Sequence, residues 1–72
     1  MENNYQANYV FLYDTEAVPV DEPYDIIAES DDDAICIANE RVENWNNYYD
    51  IPVQLVYVSR CNEYWDEIEQ IY

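Results

Sequence analysis

Ser30-Asp31-Asp32-Asp33-Ala34-Ile35-Cys36-Ile37-Ala38-Asn39-Glu40-Arg41-Val42-Glu43-Asn44-Trp45-Asn46 carries the strongest periodic signal in the chain, and the rest of the fold is read outward from it. Ile35, Ala38, Val42 and Trp45 recur at helical spacing, and Ala34 and Ile37 widen the apolar stripe. Glu40 and Glu43 fall on the opposite face with Asp32, Asp33 and Cys36. Ser30 followed by Asp33 is a capping box in its Asp form, so a helix is predicted from Asp31 to about Asn46. Asp31, Asp32 and Asp33 occupy its first turn, where the helix dipole favours negative charge by roughly 0.3–1 kcal/mol each at an exposed site.

On the N-terminal side, Tyr5, Ala7, Tyr9, Phe11 and Tyr13 alternate at period two, which predicts a strand from about residue 7 to 14. Asp14 to Pro23 holds two prolines and four acids and reads as a loop. Tyr24-Asp25-Ile26-Ile27-Ala28 reads as a second strand, antiparallel to the first. Beyond the helix, Asn46 to Pro52 is a turn, and the β-branched run Val53 to Ser59 is a third strand. For Asn62 to Ile71, the spacing of Tyr64 or Trp65, Ile68 and Ile71 favours a short terminal helix, with a strand over Glu67 to Tyr72 as the competitor. The expected architecture is a small single α+β domain over residues 1–72, in the order β-β-α-β-α, with the central helix packed on a three-stranded antiparallel or mixed sheet. Phe11, Trp45 and Tyr57 are the expected core aromatics. The chain has no glycine, so any turn needing positive φ falls to Asn or Asp, with Asn46, Asn47 and Asn62 the expected positions.

Composition narrows the chemistry. Seventeen acids face two bases, Arg41 and Arg60, and the formal charge is −15 over 72 residues. So short a chain has little stability to spare, and a net charge this far from zero destabilises the compact state further. Twelve aromatics, nine of them Tyr, and an apolar half still predict a folded chain rather than a disordered one. Two arginines cannot hold a row of phosphates or an anionic lipid surface, which excludes direct nucleic-acid and membrane binding. With no His and no Lys, the chain lacks a base for Ser-His or Cys-His mechanisms, so no catalytic residue is assigned and no enzyme is expected.

No cofactor and no metal site is expected. Two distant cysteines do not make a zinc site, and neither Ser30-Asp31-Asp32-Asp33 nor Asp21-Glu22 alternates ligands about a glycine turn as a calcium loop does. The opening Met1-Glu2-Asn3-Asn4 has no basic start or apolar run, so a cytoplasmic location with reduced Cys36 and Cys61 is expected.

What remains is the acid array. The candidate partner-binding residues are Asp21, Glu22, Asp25, Glu29, Asp31, Asp32, Asp33, Glu40, Glu43, Glu63, Asp66, Glu67 and Glu69, with Tyr48, Tyr49 and Tyr64 as aromatic contacts beside them. Carboxylates from the long loop, the helix start and the terminal segment are expected to form one face. An ordinary solvated surface intersperses both signs and carries a net charge of about 2–8 for a small domain. The excess here points to selection for the charge itself. Spaced rows of carboxylate imitate the anion rows of duplex DNA that basic proteins grip.

With its length, its acid excess and the run Ile27-Ala28-Glu29-Ser30-Asp31-Asp32-Asp33-Ala34-Ile35, strand into acid-capped helix, the chain resembles the small acidic inhibitors carried by bacteriophages and mobile elements. These are the anti-CRISPR and antirestriction proteins and the uracil-DNA glycosylase inhibitors. The resemblance is one of type and covers the whole chain. It implies a stoichiometric inhibitor acting in a host bacterial cytoplasm as a DNA mimic. The implied partner is a basic nucleic-acid-binding complex: a CRISPR effector, a nuclease or a glycosylase. The alternative expectation is a non-catalytic assembly module, monomer or homodimer, whose acidity serves solubility.

Overall fold

The computed structural model describes residues 2–72, so Met1, the first residue of the opening stretch read above, lies outside the described residues. The elements run β1 (Asn3–Leu12), β2 (Ala17–Pro19), β3 (Tyr24–Ala28), α1 (Asp31–Tyr48), β4 (Val53–Cys61) and β5 (Glu67–Gln70). All strand pairs are antiparallel, in the order β2-β1-β4-β5, with β3 sharing the β2 edge of β1. The domain is α+β with one helix on a five-stranded sheet, in the order β-β-β-α-β-β.

Two of the expected elements are corrected. The loop from Asp14 to Pro23 contains β2, which pairs Ala17 with Leu12 and Pro19 with Val10. Proline is tolerated there because β2 is an edge strand. The terminal segment is β5 rather than a helix. Asn62 organises the connection before it: its Oδ1 accepts from the Tyr64 N–H at 2.8 Å and the Asp66 N–H at 3.0 Å, and its backbone N–H donates to the Asp66 carbonyl at 3.0 Å. Trp65 sits there at φ 66°, a left-handed conformation that ends any helix and costs roughly 1–2 kcal/mol for a residue with a Cβ. Asn46, Asn47 and Asn62 do not have positive φ. Asn46 and Asn62 serve instead as acceptors for backbone donors, Asn46 Oδ1 taking the Val53 N–H at 2.8 Å.

The helix begins as its sequence dictates, with the Ser30 hydroxyl accepting from the Asp33 N–H at 3.2 Å. Its fully buried positions are Ala34 and Ala38, with Ile37, Val42 and Trp45 packed alongside. Such small residues let the helix approach the sheet closely, and the intervening space is filled by long side chains rising from β1. Tyr5 and Tyr9 are buried and span to the helix, donating to Asp31 Oδ1 and to the Ala38 carbonyl, each at 2.9 Å. They are the core aromatics. Burial pushes the Tyr9 hydroxyl up to about 12, and burial together with the Asp31 carboxylate raises Tyr5.

Phe11 and Trp45 pack against that core only partly buried, while Tyr57 stands on the other side of the sheet. The reason is a β-bulge. Asn8 pairs with Tyr57 and Tyr9 with Leu55, leaving Val56 as an extra residue in β4. One added residue exchanges the faces of everything beyond it, so Val58 rather than Tyr57 joins Val53 and Leu55 in the core.

Candidate partner-binding surface

Strand register decides which carboxylates meet. Asn3 pairs with Ala28 and Asn4 with Cys61, and the Asn4 side chain donates to the Asn62 carbonyl at 3.2 Å. The chain therefore leaves both β3 and β4 at the Asn3 end of the sheet. That end collects Glu29 and the first turn of α1 from one side, and the β4–β5 connection with Glu63, Asp66 and Glu67 from the other.

Here a shallow depression of about 570 Å³ is lined by Glu2, Ile27, Glu29, Asp33, Cys36 and Glu40, among others. From it the outer face of α1 continues the row through Glu43. At 1.5 Å per residue the stretch from Asp33 to Glu43 covers about 15 Å. Asp32, Asp33, Glu40 and Glu43 are all exposed along it. Sequence reasoning missed Glu2, because the first strand starts at Asn3 rather than near residue 7 and so carries Glu2 to this rim.

The remaining candidates lie elsewhere or are engaged. Asp31 is half-buried and holds the Tyr5 hydroxyl, and Glu69 forms an ion pair with Arg60 at 2.7 Å. Asp21 and Glu22 lie in the bend between β2 and β3, along the outer edge of β1, and Asp25 accepts from the Gln6 side chain at 3.2 Å on the face away from the helix. The expected single face is thus corrected. The acids of the helix start line the depression, Glu63, Asp66 and Glu67 lie in and after the β4–β5 connection at the same end of the sheet, and Asp21 and Glu22 lie apart along the outer edge of β1. Tyr48 and Tyr49 stand at the opposite end, where α1 finishes beside Phe11, with ring centroids of Phe11 and Tyr49 6.4 Å apart. Tyr48 is 82% exposed there, and Tyr64 is 76% exposed in the connection at the acidic end.

Neither arginine interrupts the acidic row. Arg60 is paired with Glu69, and the Arg41 guanidinium carbon lies 3.9 Å from the Tyr24 ring centroid and 4.3 Å from that of Trp45, making no ion pair among the described residues. Cation–π contact of this kind is worth about 0.5–2 kcal/mol and pins the helix to the start of β3. Arg41 Nε is buried without a hydrogen-bond partner.

Cys36 is exposed and Cys61 buried, and both are free thiols. Burial raises the Cys61 pKa, with Glu67, Asp25 and Asp66 adding to it. Among the described residues no three His, Cys, Asp or Glu side chains come together closely enough to hold a metal ion, and no helix is long and apolar enough to cross a membrane. No protein-family model, curated protein or solved structure matches the chain.

Proposed function

We propose that this chain is a non-catalytic, stoichiometric inhibitor that places its acidic end and the outer row of α1 in the basic groove of a nucleic-acid-binding protein, as a DNA mimic. The observation that carries this reading is the run of exposed carboxylates from Glu29 through Asp32, Asp33, Glu40 and Glu43, with Glu63, Asp66 and Glu67 at the same end of the sheet, Arg60 paired to Glu69 and Arg41 held against Tyr24 and Trp45. Such a row concentrates negative potential along one side of the molecule, which steers a cationic partner and speeds its encounter. A CRISPR effector, a nuclease or a glycosylase of a bacterial host presents the matching groove, and a phage or mobile element would be the source of such an inhibitor.

The test is charge reversal. Asp32→Lys, Asp33→Lys and Glu40→Lys together are expected to weaken binding to the basic partner by at least about a hundredfold at low salt, with the helical circular dichroism retained. The wild-type affinity should fall steeply as salt is added. Affinity unchanged by the triple reversal would remove the helix row from the interface.

A further inference from the structure

One side of β3 is paired and the other is open. On the paired side Tyr24, Ile26 and Ala28 stand opposite Ala7, Tyr5 and Asn3 of β1. The Tyr9 carbonyl accepts from the Val20 N–H on that same side of β1, so by alternation the odd residues of β1 bond toward β2 and β3. The backbone groups of Tyr24, Ile26 and Ala28 are thereby used, and those of Asp25 and Ile27 point away from the sheet. Among the described residues no strand pairs with them. Folded proteins usually blunt such an edge with proline or lysine, and β3 has neither.

The acidic depression of about 570 Å³ opens along this edge, where α1 passes beside β3. Ile27, Ala28 and Ile37 give it an apolar lining, and Ile27 is 56% exposed. Glu2, Glu29, Asp33 and Glu40 add four carboxylates, with no cation among the lining residues.

We propose that this edge takes an extended, Lys- or Arg-bearing segment of the cationic partner, which adds to the sheet as a strand beside β3. Its backbone pairs with the outward N–H and C=O groups of Asp25 and Ile27. Its side chains alternate between the two faces, one set reaching Ile37, Asp33 and Glu40 below the helix and the other lying beside Ile27 and Asp25. Charge and backbone together select this occupant. The four carboxylates repel nucleic acid, and they repel a second copy of a chain at −15. Unpaired backbone groups favour an extended segment over a helix, whose own groups are already bonded internally. The acids do not come together closely enough for a bare metal ion among the described residues.

The inference rests on the reading of the acidic surface as one that meets a cationic protein, and backbone methylation separates the two. The probe is a short synthetic peptide alternating lysine and valine, titrated at low salt into the isotope-labelled full chain and followed by amide resonances. A second peptide of the same sequence and charge, methylated at every peptide nitrogen, has no backbone donor. Saturable shifts at Asp25, Ile27 and Asp33 are expected with the first peptide, and at least about tenfold weaker binding with the second. Ile27→Pro removes an outward N–H without taking a bond from β1, and should weaken the first peptide by a similar factor with circular dichroism retained. The methylated peptide decides the matter even where that variant does not fold. Tyr48→Glu, at the far end of α1, should change nothing. Equal binding of the two peptides overturns strand addition and leaves the attraction for cations standing. Binding of neither overturns the proposal and that attraction together.

Discussion

At the Asn3 end of the sheet the structure is held by hydrogen bonds to side-chain oxygens, whereas at the Leu12 end it is held by packed rings. The first end relies on the Ser30 cap, the Tyr5 to Asp31 bond and the acceptors of Asn62. The second relies on Trp45 against Tyr9 at 5.0 Å and against Tyr49 at 6.4 Å, with Phe11 against Tyr13 at 6.5 Å. The difference teaches how so small a chain tolerates its charge. Asp31, Asp32 and Asp33 sit where the helix dipole offsets their charge, while the ring contacts that resist unfolding lie at the other end, beside the exposed Asp14, Glu16 and Asp50.

Breaking the ring-packed end should have the largest effect. Trp45→Ala removes the partner of Tyr9 and Tyr49 and one wall of the Arg41 cage, and is expected to cost about 3 kcal/mol in chemical denaturation. A loss well below 1 kcal/mol would show that these rings do not carry the stability assigned to them.

Tyr9→Phe tests the one buried bond that links this core to the helix backbone. Leaving the Ala38 carbonyl without its donor should cost about 1–2 kcal/mol. The same hydroxyl gives the fold an alkaline limit. Tyr9 is raised from 10.0 to about 12 by burial, with nearby Arg41 opposing, so its contribution is complete below pH 10. It is lost as pH rises from 10 toward 12, because the unfolded side chain ionises first. Stability of Tyr9→Phe measured across that window should fall less steeply than that of the wild type.

At the hydrogen-bonded end, Ser30→Ala should cost about 1 kcal/mol, and the loss should be local, with faster amide exchange in the first turn of α1. Loss of stability throughout the sheet on this substitution would erase the distinction between the two ends.

The helix was legible because its signals are local: the Ser30 cap, the acidic first turn and the Ala38, Val42, Trp45 spacing all lie within one segment. Alternation likewise marks β1, and the β-branched run marks β4. Tyr57 was misplaced because a bulge at Val56 depends on how β4 lies against β1, which no window on β4 alone reveals. The terminal segment was misread for a similar reason. Ile68 and Ile71 keep helical spacing, but the Asn62 acceptors and the left-handed Trp65 turn the chain back onto β4. In the candidate site, Glu29, Asp33 and Glu40 were identified as acids, while their meeting with Glu2 around one depression follows from the pairing of Asn3 with Ala28. The departure of Asp21 and Glu22 from that group has the same origin, since β2 and β3 hold their connection to the outer edge of β1, while Asp25 lies within β3 on the face away from the helix.

The central claim is that the acidic end occupies a groove built for nucleic acid, and competition tests it most directly. With the chain immobilised and a basic nucleic-acid-binding partner bound, duplex DNA added in increasing amounts should displace the partner completely. A stable complex of chain, partner and DNA together would contradict the account.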